Sequence, residues 1–455
     1  MDAIARFANH VVDTRAEDLP AEAVRATKTF LTDLTDTIGV GVAGSAGPWV
    51  EELVACARGW GAGDEARVWV RGARLPAPAA ALCNAYQIHN AEFDCVHEAA
   101  VVHPMAALLA STLAHAERAG GVAGRDLLAA LALGVDVACH IGVGSKAPLT
   151  FFRPATAGAF AATAAVGRLM GFDAARLVNA FGIAYSELCG TMQAHAEGSV
   201  LLGMQIGFNA RNAVVACDLA ARGLVGPQHV LEGPFGFYRL FEGAYDLSAV
   251  WPALGRVWRI TEVAHKPFPA GRAAHGIVEA CLALQRAHGF AAGEVERVTA
   301  WVPPLTHRLV GRPVQDDMAP NYARLSAAFV AATALIKGTV GVEDFRPEAL
   351  ADPATLALGR RVEVVSDGHP DPNALTPIRV EVRLQGGVTH GLTLDVVYGH
   401  PAKPMTRDAH LAKFRRNWAA GATPLPPEQG ERLIALVDGL ERVEDVRALV
   451  DLMVA

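Results

Sequence analysis

The chain has 455 residues, of which 52% are hydrophobic and 19% charged, and a formal net charge of −7. That length exceeds one simple core, so two domains are expected, and the acidic balance leaves no basic face for nucleic acid. Seven scattered cysteines without a CxxC pair exclude a disulfide framework and fit a reduced, cytoplasmic protein. No uninterrupted apolar run of about 18 residues suggests a membrane span. The opening MDAIARFANHVVDTRAEDLP lacks a basic start followed by an apolar core, so no secretory signal is expected either.

Residues 20 to about 262 read as helix. LPAEAVRATKTFLTDLTDTIGVGVAG starts with Pro20 in a first-turn position, and HPMAALLASTLAHAERAGG, GRDLLAALALGVDVACHIG and TAGAFAATAAVGRLMG each close on glycine. GFDAARLVNAFGIAYSELCGT and the run ending ARNAVVACDLAARGLVG continue the series. Small residues three and four apart let backbones approach within a buried bundle. These helices are apolar nearly all round, which also suggests burial against a second subunit.

Within that region NAEFDCVHEAAVVHPMAA, residues 90–107, concentrates Glu92, Asp94, Cys95, His97, Glu98 and His103. Three readings are open. His89, Asp94, His97 and His103 could bind a metal, although HExxH, HxH and CxxC are all missing. The acids could be solvated groups capping the helix that starts near His103-Pro104. Or a carboxylate and an imidazole, partly desolvated, could transfer protons. Cys95 reads as a small buried residue rather than a nucleophile. Arg153, in an apolar segment, needs an anionic partner, either a ligand carboxylate or a structural acid such as Asp94. His195 and Glu197 border the same region or are loop residues.

After Trp258 the pattern changes. VERVTAWVPP, RRVEVVSDG, IRVEVRLQGG and THGLTLDVVYGHP alternate as half-buried strands, the last two joined at Gly386-Gly387. HGIVEACLALQRAHG and RLSAAFVAATALIKG are interleaved helices. In AHKPFPAGRAAHGIVEA, Lys266, Arg272 and His275 gather positive charge where a loop enters a helix, which suits a carboxylate or phosphate. The expected organisation is a mainly α protein: an all-helical domain over 1–262, an α+β lid over 263–403, and a helical segment, 404–455, packing back on the first domain.

The pieces DTIGVGVAG (36–44), HNAEFDCVHEAAVVHP (89–104), FFRPATAGAFAATAA (151–165), ARGLVGPQHVLEGPFGF (221–237), HKPFPAGRAAHGIVEA (265–280) and LSAAFVAATALIKG (325–338) resemble the MmgE/PrpD family in order and spacing. That family includes 2-methylcitrate dehydratase, cis-aconitate decarboxylase and iminodisuccinate epimerase. The resemblance implies a homodimer with its active site between the domains. It also implies proton removal beside a carboxylate without metal or organic cofactor. Asp94 and His103 match the family's acid/base pair, and Lys266 and His275 its lid residues. This chain departs from the pattern at Cys95, Arg153, Leu202 and Phe329, where the family usually has Asp, His, Lys and Tyr; Tyr322 is the nearest phenol.

The resulting expectation is a cofactor-independent lyase, dehydratase or decarboxylase, acting on a small di- or tricarboxylate. Asp94, His103 and Lys266 would be catalytic, and His97, Arg153, Arg272 and His275 would bind substrate. An epimerase and a catalytically lapsed binding protein are the alternatives.

Overall fold

The computed structural model describes residues 2–31 and 37–455. Residues 32–36, inside the first helical stretch read above, lie outside the described residues. Around them, helices cover Ala21–Leu31 and Ile38–Gly44. Five helices rich in small residues build the centre: α1 (Ala77–His89), α2 (Met105–Ala119), α3 (Gly124–Gly144), α4 (Arg153–Leu169) and α5 (Leu201–Ala221). α1 packs on α2 and α5, and α4 packs on α2, α3 and α5. Side chains are buried on every face of α1 from Ala79 to His89, because its neighbours are alanine-rich and approach closely. α3 is long and apolar enough to cross a membrane, yet it is buried inside the protein as a core helix. A two-stranded ribbon, Ala66–Arg67 with Arg74–Leu75, sits within this region. Its strands are too short to show alternation.

The second unit carries a four-stranded sheet with α6 (His275–His288) and α7 (Ala327–Lys337) packed together against it. Strands β1 (Val295–Val302), β2 (Val362–Ser366), β3 (Ile378–Leu384) and β4 (Thr389–Leu394) lie in the order β2-β1-β3-β4. β1 and β2 are parallel and the other pairs antiparallel, with Val298 opposite Val362 and Val382. Gly386 and Gly387 turn β3 into β4 at φ 99° and 89°, the left-handed region that favours glycine. Ile378, Val380 and Val382 face a core separate from that of the helical region. Residues of the last segment, including Phe414, Trp418, Leu433 and Met453, join the helical core instead.

The segment between α1 and α2, residues 90–104, is clamped at the junction of the two units. Val96 and Ala264 exchange backbone hydrogen bonds of 3.0 and 2.7 Å. On the other side Ala100 rests on Gly142 of α3, where an added Cβ would come within 2.7 Å of it. Only glycine allows that approach.

Candidate active site

Two residues of this segment have positive φ, Glu92 and Val101, both at 51°. For a β-branched valine this is a genuine outlier, and such strain persists only where surrounding contacts over-determine it. Those contacts are present. Lys266 Nζ donates to the Glu92 carbonyl at 3.0 Å and Arg153 Nη1 to the Ala100 carbonyl at 2.7 Å. Val101 N–H donates back to Glu98 O at 3.1 Å.

The side chains form a chain of alternating charge. Lys266 Nζ lies 3.1 Å from Glu92 Oε2, and Glu92 Oε1 lies 3.3 Å from His89 Nε2. His89 Nδ1 is 3.0 Å from both Asp94 oxygens, and Asp94 Oδ2 is 3.3 Å from His103 Nδ1. Burial disfavours a charged His89, but Asp94 and Glu92 outweigh it and raise the group to about 9. Burial would likewise raise both carboxyls. His89 and His103 instead hold Asp94 below its ordinary range, and Lys266 and His89 hold Glu92 well below it. Burial, reinforced by Lys266, keeps His103 below its ordinary value against the pull of Asp94. At neutral pH His89 is therefore a cation, both acids are ionised, and His103 is neutral. Asp94 lies 3.3 Å from Nδ1 and favours the ring proton on that nitrogen, which leaves His103 a lone pair on Nε2, the form in which imidazole accepts a proton.

His103 and Glu92 border a cavity of about 60 Å³ between the helical unit and the lid. Among the described residues, two other titratable side chains line it, His195 and Arg272. The remaining wall is apolar, with Leu149, Phe152, Met192 and Leu202 from the helical side and Leu309 and Leu375 from the lid.

Several residues singled out in the sequence stand elsewhere. Asp94 is fully buried behind the imidazoles, not at the cavity wall; Glu92, two positions earlier, takes that place because the backbone turns at φ 51°. Lys266 is fully buried and reaches the site through Glu92. Arg153 does not reach for a ligand: its fork grips Glu242 at 3.0 and 2.7 Å, both side chains being buried. The substrate-binding expectation for Arg153 is corrected accordingly, and its acid is Glu242, not Asp94. His97 is likewise a structural link, its Nε2 3.1 Å from Glu262 and its Nδ1 accepting from Ala100 N–H at 3.1 Å. Arg272 lines the cavity, but it donates to Glu98 at 2.7 Å and to the carbonyls of His265, Val397 and Tyr398. His275 opens instead onto a different groove, beside Phe268, Glu279 and Arg416, with Nε2 on the Ala270 carbonyl. Leu202 lines the cavity as an apolar wall, Phe329 belongs to a lid core, Cys95 is buried, and Glu197 faces solvent.

The sequence reading does not single out Arg312; it takes His89 only as a possible metal ligand and Glu92 only as one of the clustered acids. His89 ends a buried helix made mostly of alanine and other small or apolar residues. A titratable group in such a place is costly unless paired, which was the available signal.

His89, Asp94 and His103 each bring one donor atom within 4.8 Å of the others, a possible metal cage. The charge state opposes that use. A ligating imidazole must be unprotonated, whereas His89, raised to about 9, carries its proton toward Asp94. Exhaustive chelation is accordingly expected to leave activity and melting temperature unchanged. Activity lost on chelation and restored by zinc, iron or magnesium would overturn this.

Fold and site together define a protein of two units with a buried cluster of paired titratable side chains at their junction. The chain matches the MmgE/PrpD N-terminal domain over residues 5–250 and the MmgE/PrpD C-terminal domain over residues 268–442, and it belongs to that family. It is 27% identical to the cis-aconitate decarboxylase of Mus musculus, over 98% of this chain and 92% of that protein. It is 28% identical to the Homo sapiens cis-aconitate decarboxylase, over 92% of this chain and 88% of that one. The cis-aconitate decarboxylase of Aspergillus terreus is 26% identical, over 96% of this chain and 93% of that protein.

Proposed function

We propose that the protein is a cofactor-independent lyase that removes a proton beside the carboxylate of a small organic acid. The observation that carries this reading is a neutral His103 backed by Asp94 and His89, sharing one cavity with the ionised Glu92. His103 Nε2 takes the proton from the carbon next to the carboxylate, and the electron pair moves onto that carboxylate as an enediolate. The pair then returns to form a double bond as the β-hydroxyl, taking the proton back from His103 Nε2, leaves as water. In a decarboxylation the carbon–carbon bond breaks first, carbon dioxide departs, and the carbon takes up a proton from the same cluster. Lys266 and Arg272 hold the local acids and lend positive potential as charge develops. The similarity to cis-aconitate decarboxylases supports a lyase over the epimerase and binding-protein alternatives. A cytoplasmic homodimer is part of the proposal. Exposed Val225 (72%) and Phe235 (77%) give it apolar surface for self-association.

Proton NMR in deuterated water with a panel of small carboxylic acids tests the reaction. Deuterium uptake with new alkene signals indicates dehydration, loss of a carboxyl carbon indicates decarboxylation, and uptake without net change indicates epimerisation. No exchange with any acid overturns the proposal. The rate should be flat around neutrality and fall in acid as His103 takes up its proton. It should fall again above about 9, where His89 loses the charge that holds Asp94. The raised His89 also stabilises the fold fully below its ordinary 6.5, and that contribution is lost as pH rises through about 9.

A further inference from the structure

His195 stands apart from the paired groups around it. It sits in the short helix Gln193–Glu197, is 6% exposed and lines the cavity. Arg312, from the lid, donates through Nη2 to the His195 carbonyl at 3.0 Å and lies 3.3 Å from His195 Nδ1. A guanidinium can only donate, so Nδ1 accepts and the ring proton resides on Nε2. That Nε2–H has no hydrogen-bond partner. The Leu309 carbonyl lies close enough to favour a protonated ring, but outside hydrogen-bonding geometry. Burial and Arg312 nonetheless lower His195 to about 4, so it is a neutral donor at physiological pH.

Arg312 is also incomplete. Its Nη1 is buried without a partner, its guanidinium stacks 5.0 Å over Tyr322, and it makes no ion pair among the described residues. Among the other cations near the cavity, buried Arg324 gives one bond to the Asn90 carbonyl and has Nε unpartnered, whereas three are held by acids. Lys266 is on Glu92, Arg272 is on Glu98 and three carbonyls, and Arg153 is on Glu242. A buried donor aimed at an empty wall, with an unmatched cation behind it, calls for one anion.

We propose that the substrate carries a single carboxylate on an otherwise apolar body, with that carboxylate received by His195 Nε2–H in front of Arg312. The inference rests on the lyase reading and narrows its substrate class, replacing the di- or tricarboxylate expectation. A second or third carboxylate would face Leu149, Met192, Leu202, Leu309 and Leu375, where nothing repays its desolvation.

The test uses tiglate against mesaconate, which differ only by a methyl in place of the second carboxylate, with cis-aconitate as the tricarboxylate and tiglamide as the uncharged control. Calorimetry on the full chain at neutral pH should show tiglate binding at least about tenfold tighter than either polycarboxylate. His195→Phe should weaken tiglate about tenfold or more and leave tiglamide little changed. Arg312→Met, at a partly exposed residue, makes the same comparison if the Phe variant does not fold. Equal or tighter binding of mesaconate or cis-aconitate overturns the inference, as does unchanged tiglate affinity in both variants. These binding results are independent of turnover. The expected preference without proton exchange in any acid overturns the lyase reading alone. Exchange confined to polycarboxylates overturns the inference and leaves that reading standing.

Discussion

Glu92→Gln and His103→Ala are each expected to lower turnover by roughly two to four orders of magnitude, the usual range for a lost acid/base group. His103 is the only imidazole at the cavity that is also backed by a carboxylate, Asp94 Oδ2 at 3.3 Å. Removing it takes away the base and leaves the Asp94–His89 pair intact. Glu92→Gln keeps the size of the side chain but removes the charge that Lys266 and His89 both face. The loss should appear in kcat more than in KM, because His103 moves the proton and Glu92 sets the charge around it rather than holding bound substrate. Asp94→Asn should behave differently. Asp94 touches only the two histidines, so its loss leaves the His89 cation buried without its main partner and lowers melting temperature as well as turnover. The measurement is turnover beside a thermal melt for all three variants. Normal turnover in both Glu92→Gln and His103→Ala would mean that the chemistry lies elsewhere.

Arg153→Ala should destabilise the fold by about 3–5 kcal/mol, the cost of breaking a buried ion pair from one side. The guanidinium is 1% exposed and Glu242 3%, so the orphaned carboxylate could not reach water. Arg153→Lys keeps the charge but loses the two parallel hydrogen bonds and the third to the Ala100 carbonyl, and it should recover only part of the loss. Arg153→Met combined with Glu242→Leu should be more stable than Arg153→Ala, since an apolar pair leaves no buried charge. Denaturant unfolding of the four proteins, with KM for the acid found by NMR, decides between a structural and a binding role. An unchanged unfolding midpoint in Arg153→Ala with a large rise in KM would restore the ligand-binding role.

Local chemistry made much of the fold legible. Alternation in IRVEVRLQGG and THGLTLDVVYGHP marks strands because successive side chains face opposite sides of a sheet, and two glycines between them supply the left-handed turn. Alanine and glycine three and four apart mark close-packed helices for an equally local reason: a small side chain lets the neighbouring backbone in. The ribbon at Ala66–Arg67 left no such trace, since two residues show no period.

The region of the site was also legible, because so many titratable groups within an apolar chain need a reason. Which of them faces the cavity was not. Asp94 and Glu92 are alike as residues, and a single backbone turn at φ 51° sends Glu92 to the wall and leaves Asp94 behind it. Sequence by itself determined most of the elements, the family and the segment in which the candidate site lies, since each depends on neighbours within a few positions. Only the tertiary structure decided that Arg153 meets Glu242, 89 positions away, and that His195 meets Arg312, 117 positions away. The physical reason is that a buried charge declares in sequence that it needs a partner, while the identity of that partner depends on how distant helices pack.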